Sequence, residues 1–265
     1  MGLIIATPKL SDAAVLTAGS AAANMPVTNL QLVQPTDVWR AIDLANSYVV
    51  ADLGAAAAIT LAALLDTNAS SAATWRIRAA TSEANLTAAP GYDSGSLTHW
   101  LASGLGDWET THAVKTFAAQ NFRWWRIDVS DAANPDGYYQ AGRLYLAVKW
   151  EPTGNIKVRE GMSLRWLDPS PIAQTISGHR YPDIKRRRRV LEFGLGYLSE
   201  AEMWGNAAPI DRLRGTSKDL LISRDPAHAS YAQEWTVYGL LHELTPIVFQ
   251  EISQYARRFE IEELI

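Results

Sequence analysis

The residues best able to do chemistry in this chain do not fall into a catalytic spacing. Five histidines are present, His99, His112, His179, His228 and His242. No two stand four apart, and no His-Glu-x-x-His run seats a zinc ion on one helix face. No Gly-x-Ser-x-Gly elbow presents a serine, and nothing raises a Ser-His-Asp triad from distant segments above background. Gly194-Leu-Gly196 lacks the third glycine and the strand–loop–helix setting of a dinucleotide loop. It reads instead as a strand pair where side chains would clash. Glycoside hydrolysis needs two carboxylates facing each other across a cleft, and spacing alone marks no such pair.

Two clusters carry charge in a suggestive pattern. In 128–137, Asp131, Asn134 and Asp136 offer the hard oxygen ligands that calcium takes. No bidentate Glu follows at the EF-hand distance, and Asp and Asn also close turns on their own backbone. The turn is the preferred reading, with a weak calcium site as the alternative. Lys185 is followed by Arg186, Arg187, Arg188 and Arg189. Such a run suits a phosphate-binding patch or a nuclear signal. It also runs straight into Val190-Leu-Glu-Phe193, which makes it part of a strand. An oligomer interface is then favoured, with Glu260 and Glu262 of the acidic segment 260–263 pairing the arginines across a subunit contact. Among the aromatics, Trp100, Trp108 and Trp125 are candidate stacking platforms for sugars. Adjacent Trp124 and Trp125 must point to opposite faces of a strand, so one is core and the other outward.

The elements that hold these residues have period two. Strands are expected at Ser47–Leu53, Ile59–Leu65, Thr74–Arg78, Phe122–Val129 and Tyr138–Trp150. In Thr74–Arg78, Trp75 and Ile77 share one face and Arg76 and Arg78 the other. After a Pro/Gly break at Glu151–Gly154, short strands follow around Ile156–Val158 and Ser163–Trp166, and a long one over Lys185–Tyr197. Ser199 and Glu202 form a capping box that starts a short helix, breaking near Gly205 or Pro209 and ending by Gly215. Asp219–Ser223, Glu234–Glu243, Thr245–Glu251 and Tyr255–Glu262 read as further strands. Short strands without helical crossovers predict a mainly β chain, an N-terminal jelly-roll sandwich over 1–152 and a β-rich domain with a short helix over 153–265.

Composition narrows the functional classes. The chain has no Cys, so disulfides, thiolate metal sites and cysteine nucleophiles are excluded. It carries 24 Lys+Arg against 28 Asp+Glu, without the basic excess of a nucleic-acid binder. Residues 1–152 hold 9 basic and 13 acidic residues, a net −4, whereas 153–265 hold 15 of each. The start has neither a charged leader nor a long apolar run, and no stretch is long enough to span a bilayer. A soluble protein made in a reducing cytoplasm, without cofactor and without an enzyme active site, is the expectation.

Taken together, these pieces resemble tail-tip or baseplate proteins of long-tailed bacteriophages. The first half is similar to their galactose-binding-like, discoidin-type jelly roll. The residues that carry this are Pro26–Leu30, Val38–Arg40, Val50–Gly54, Ala63–Leu65 with Asn68, Trp75–Arg78, Tyr92–Gly95, Trp124–Asp128 and Gly142–Leu144. The second half is similar to the β-rich portion placed around the tail axis, on Arg188–Phe193, Leu198–Ala201 and Arg258–Glu263. The resemblance implies a virion structural protein of the distal-tail kind. It would be made in a bacterial host and close into a homo-oligomeric ring between the tail tube and its hub, tip or fibre proteins. A carbohydrate-binding module for host-surface glycans is the alternative, and a glycan hydrolase is less favoured.

Overall fold

The computed structural model describes residues 2–106, 108–153 and 158–265. The chain is mainly β, as expected. Its first nine strands are β1 (Ile4–Ala6), β2 (Val15–Ala18), β3 (Trp39–Ala41), β4 (Tyr48–Thr67), β5 (Thr74–Ala80), β6 (Tyr92–Asp93), β7 (Leu97–Thr98), β8 (Thr111–Ser130) and β9 (Tyr139–Ala147). Then come β10 (Val158–Leu167), β11 (Ile172–Gln174), β12 (Arg180–Pro182), β13 (Arg188–Ser199), β14 (Leu220–Ser223), β15 (Thr236–Leu241), β16 (Val248–Glu251) and β17 (Gln254–Glu263). Ile156 of the expected strand Ile156–Val158, and Gly154 of the Pro/Gly break, lie outside the described residues.

Two compact units form. The first joins Met1–Glu151 to Asp219–Thr236, and the second joins Pro152–Lys218 to Val237–Ile265. The segment Asp219–Thr236, grouped with the second domain on sequence, thus belongs to the first unit. Buried polar pairing explains why. Arg143 on β9 donates from Nε to Asp219 Oδ2 at 2.8 Å, and the Tyr145 hydroxyl donates to the same oxygen at 2.7 Å.

The first unit is a β-sandwich of jelly-roll type built on two long strands. β4 and β8 are 20 residues each and run antiparallel along each other. The sequence reads β4 as two strands, but the chain does not leave the sheet between them. Between the pairs Asp52↔Trp124 and Ala57↔Phe122, β4 advances five residues while β8 advances two. Gly54, at φ 76°, supplies the left-handed step inside this bulge. The early part of β4 pairs β2, and the late part of β8 pairs β5, which carries β6 and β7. The late part of β4 pairs β9, and β9 pairs β3. Two layers result, and their inward side chains meet in one core that includes Trp39, Trp75, Ile77, Trp125, Ile127, Tyr139 and Leu144. Each large side chain sealed there contributes roughly 1.5–3 kcal/mol of transfer free energy.

In the second unit β13 lies between β10 and β17, and β17 also pairs β15 and β16. Phe193 and Phe259, opposite each other on β13 and β17, stack with centroids 5.3 Å apart. The capping box forms as read: Ser199 Oγ accepts from the Glu202 N–H, and Glu202 Oε2 accepts from the Ser199 N–H. Helical backbone continues through a π-turn at Met203–Ala207 and a turn with Pro209 near its start, then stops at Gly215, φ 55°. The expected clash at Gly194 does not exist, because a Cβ there would meet nothing within 4 Å. The local irregularity sits instead at Tyr197, φ 55°, inside the bulge between Leu195 and Leu198.

The arginine run splits by environment. Arg188 and Arg189 open β13, where Arg188 pairs Glu262 at 2.5 Å and fully buried Arg189 pairs Glu263. Glu260 accepts from Arg165 at 2.9 Å. The acidic segment therefore pairs Arg188 and Arg189 within one chain, across the neighbouring strands β13 and β17. Arg186 and Arg187 stay exposed, in a stretch where every residue of 171–187 is exposed. That stretch folds back as the separate two-stranded sheet β11–β12.

Candidate ligand-binding face of the first unit

The sequence-predicted site residues do not come together. Trp125 is fully buried, donates from Nε1 to the Phe122 carbonyl at 3.2 Å and stacks on Phe117. It is core, so its nomination as a sugar platform is corrected, and the outward member of the pair is Trp124. Trp100 is half-buried against the core and donates to the Ala69 carbonyl at 2.8 Å. Trp108 donates to Ser103 Oγ at 2.7 Å. All three indole N–H groups are engaged within the fold.

The calcium candidates form a turn network. Asp131 accepts from the Ser70 N–H and hydroxyl at 2.8 and 2.5 Å and from Asn134 Nδ2 at 2.8 Å. Asn134 Oδ1 accepts from the Asp136 N–H at 3.0 Å, and Asp136 accepts from Asn68 Nδ2 at 2.8 Å. Within the loop the Asn134 and Asp136 bonds are those of an Asx turn, and Asn68 and Ser70 tie the loop to the segment after β4. Among the described residues no group of three or more His, Asp or Glu side chains is placed to hold a metal.

The histidines also stay apart. His99 lies inside the sandwich with Nε2 2.9 Å from the Tyr139 hydroxyl, and burial holds its pKa down at about 3. A neutral, sealed imidazole at ordinary pH cannot reach a substrate. His228 Nδ1 accepts from the Ser230 and Tyr231 N–H groups, and His242 sits beside Glu262 at 3.6 Å.

A different constellation does converge, on the outer face of β4, β8 and β5. Alternation turns Trp75, Ile77 and Ala79 inward on β5, and Trp125, Ile127 and Val129 inward on β8. Their neighbours must then face out. Register sets these in rows: Arg76, Asp128 and Tyr48 across one, Arg78, Arg126 and Val50 across the next. Arg78 and Arg126 are directly opposed like charges, which alone would destabilise the pair. Asp128 resolves the conflict from the neighbouring row. Its Oδ2 accepts from Arg78 Nε and Nη2 at 3.2 and 2.6 Å, and its Oδ1 accepts from Arg126 Nε at 2.8 Å. The Arg126 guanidinium also lies over the Tyr48 ring, 3.6 Å from its centroid. Arg76 is held at the rim by Asp93, whose Oδ1 accepts from its Nε at 2.8 Å. This hydrogen bond is the main reason the Asp93 carboxyl titrates at about 2.

These side chains line a concave groove of about 570 Å³, walled by Leu44, Ala45 and Ser96. The Leu44–Asn46 wall is fixed by Asp43, which caps it by accepting from the Ala45 N–H at 2.9 Å. Beneath this face Val50, Ala80 and Leu86 form a small buried cluster, with partly buried Tyr48 and Trp124 packed against it. A volume of several hundred Å³ with a few convergent polar groups suits a small ligand or part of a polymer. The arginines of β5 were legible as one face of a strand. What was not legible is that Arg126 and Asp128, some fifty residues later, would be set beside them.

No protein family matches the sequence, and no curated protein matches it. Solved structures share its fold features at low identity. The chain is similar to a family 32 carbohydrate-binding module of C. perfringens NanJ, solved with galactose (14% identity, 56% of this chain, 99% of that one, TM-score 0.38). It is likewise similar to a family 32 module from a family 31 glycoside hydrolase of Clostridium perfringens (13% identity, 54% and 96%, TM-score 0.39). The lectin domain of lectinolysin, solved with Lewis B antigen, is a third (11% identity, 51% and 92%, TM-score 0.36). With each of these TM-scores below 0.5, the case for a function rests on this chain's own residues.

Proposed function

We propose that the chain is a saccharide-binding module that takes a glycan into the groove on the outer face of β4, β8 and β5. The observation that carries this is the groove itself: about 570 Å³ lined by Tyr48, Arg76, Arg78, Arg126 and Asp128. Planar guanidinium groups supply directional hydrogen bonds to ring substituents, and the Tyr48 ring in the groove lining meets apolar C–H faces. A glycan array followed by titration calorimetry tests the reading. Arg126→Gln and Tyr48→Ala should each weaken the strongest hit at least tenfold, whereas Trp125 substitutions should act only through folding. Unchanged binding in both groove variants would remove the groove as the site.

A second reading, assembly into a ring such as the tail-tip resemblance implies, draws support from a different region. In the excursion 168–187, Ile172, Ile176, Tyr181 and Ile184 are all exposed on and beside the β11–β12 hairpin. Monomeric proteins rarely leave such apolar groups together in water. Light scattering and negative-stain imaging of the purified chain should then show a closed homo-oligomer, and Ile176→Asp with Ile184→Asp should dissolve it. A strictly monomeric mass at high concentration would count against assembly.

A further inference from the structure

Resting on the saccharide-binding reading, we infer that the groove selects an anionic glycan, one whose sugar rings carry carboxylates. The argument is an inventory of donors and acceptors. Asp128 is the carboxylate among the groove-lining side chains, and both its oxygens already accept from Arg78 and Arg126. Asp93 at the rim accepts from Arg76 and, through Oδ1, from the Gly95 N–H at 2.9 Å. Every oxygen of these two carboxylates thus already accepts from a guanidinium. The unspent capacity is donor capacity. Nε of Arg126 is engaged by Asp128, while its Nη1 and Nη2 have no acceptor among the described residues. Arg78 has Nη1 left over in the same way, and so does Arg76.

Charge points the same way. Arg76, Arg78 and Arg126 against Asp93 and Asp128 leave one net positive charge at the groove, in a chain of formal net charge −4. A neutral sugar hydroxyl both donates and accepts, and here its proton would find no free carboxylate. A carboxylate only accepts, and its two coplanar oxygens match the fork of a guanidinium. The stacking of Arg126 on Tyr48 fixes that fork before the ligand arrives, which lowers the entropy lost on binding.

Calorimetry on the full chain tests this with polygalacturonate, its methyl ester and dextran sulfate. Polygalacturonate should bind at least tenfold more tightly than the methyl ester, and its affinity should fall several-fold from 50 to 300 mM NaCl. Arg76→Gln, at an exposed rim position, should reduce the preference for the acid while leaving the thermal melt unchanged. Arg123→Gln, on the same strand as Arg126 but outside the groove lining, should change neither. Equal binding of the acid and the ester overturns the anionic inference and leaves the saccharide reading standing. No binding of any of these polymers, with no hit on a glycan array, overturns both. Preference for dextran sulfate over polygalacturonate overturns the carboxylate assignment.

Discussion

The first unit uses arginine and aspartate twice, in opposite ways. Arg143 on β9 and Asp219 just before β14 are both fully buried, with Tyr145 donating to Asp219 and Arg143 Nη1 reaching Asp12 at 2.8 Å and the Leu30 carbonyl at 3.1 Å. On the outer face of β5 and β8, Arg78, Arg126 and Asp128 form a similar cluster that remains partly open, with side-chain exposures of 11%, 18% and 26%. Enclosure decides the difference. In the closed cluster the guanidinium meets two carboxylates, a carbonyl and a tyrosine ring beside it, so the ions are spent on holding distant segments together. In the open cluster one carboxylate restrains two guanidinium groups and leaves donors facing solvent. A buried ion pair costs dehydration and gives geometry, whereas a half-exposed one keeps its capacity to meet a ligand.

The largest test of this contrast is Asp219→Ala. It leaves the Arg143 charge in a sealed site with only half-exposed Asp12 to answer it, and should destabilise the fold by about 3–5 kcal/mol, read from urea unfolding. Tyr145→Phe removes one hydrogen bond to a charged acceptor and should cost about 1.5–3 kcal/mol in the same assay. Acid should also strike the sealed interior first. The folded pKa of His99 is lowered to about 3 from 6.5, so between these values the unfolded chain binds the extra proton. Its contribution is therefore present above pH 6.5 and is lost as pH falls toward 3, by at most about 1.4 kcal/mol per pH unit. His99→Gln should flatten that limb of the stability–pH curve, and an unchanged slope would place the acid sensitivity elsewhere. Smallest of all, Arg126→Gln in the open cluster should shift stability by no more than about 1 kcal/mol. A loss comparable to that of Asp219→Ala would erase the distinction between the two clusters.

Local rules made much of the fold legible. Period-two alternation in Thr74–Arg78 assigned faces correctly, and the Ser199–Glu202 box and Gly215 marked both ends of the helical stretch. What escaped was set by distance along the chain. Parity said that one of Trp124 and Trp125 is buried, but which one depends on the layer that β8 faces. Arg189 looks like its neighbours in a basic run, yet its register opposite the end of β17 buries it with Glu263. Arg143 and Asp219 are 76 residues apart, and no window-based reading joins them. The groove is of this kind too, since β4, β5 and β8 must pair before Tyr48, Arg78 and Arg126 become neighbours.

The return of Asp219–Thr236 to the first unit bears on the order in which the chain can mature on a ribosome. When residue 151 has been synthesised, β9 is complete, but Arg143 and Tyr145 have no Asp219. The first unit waits for some seventy residues to reach Asp219 and some eighty-five to reach Thr236, and until then the Arg143 guanidinium lacks that carboxylate. A gene fragment cut at the Pro/Gly break would freeze the nascent protein in that unfinished state.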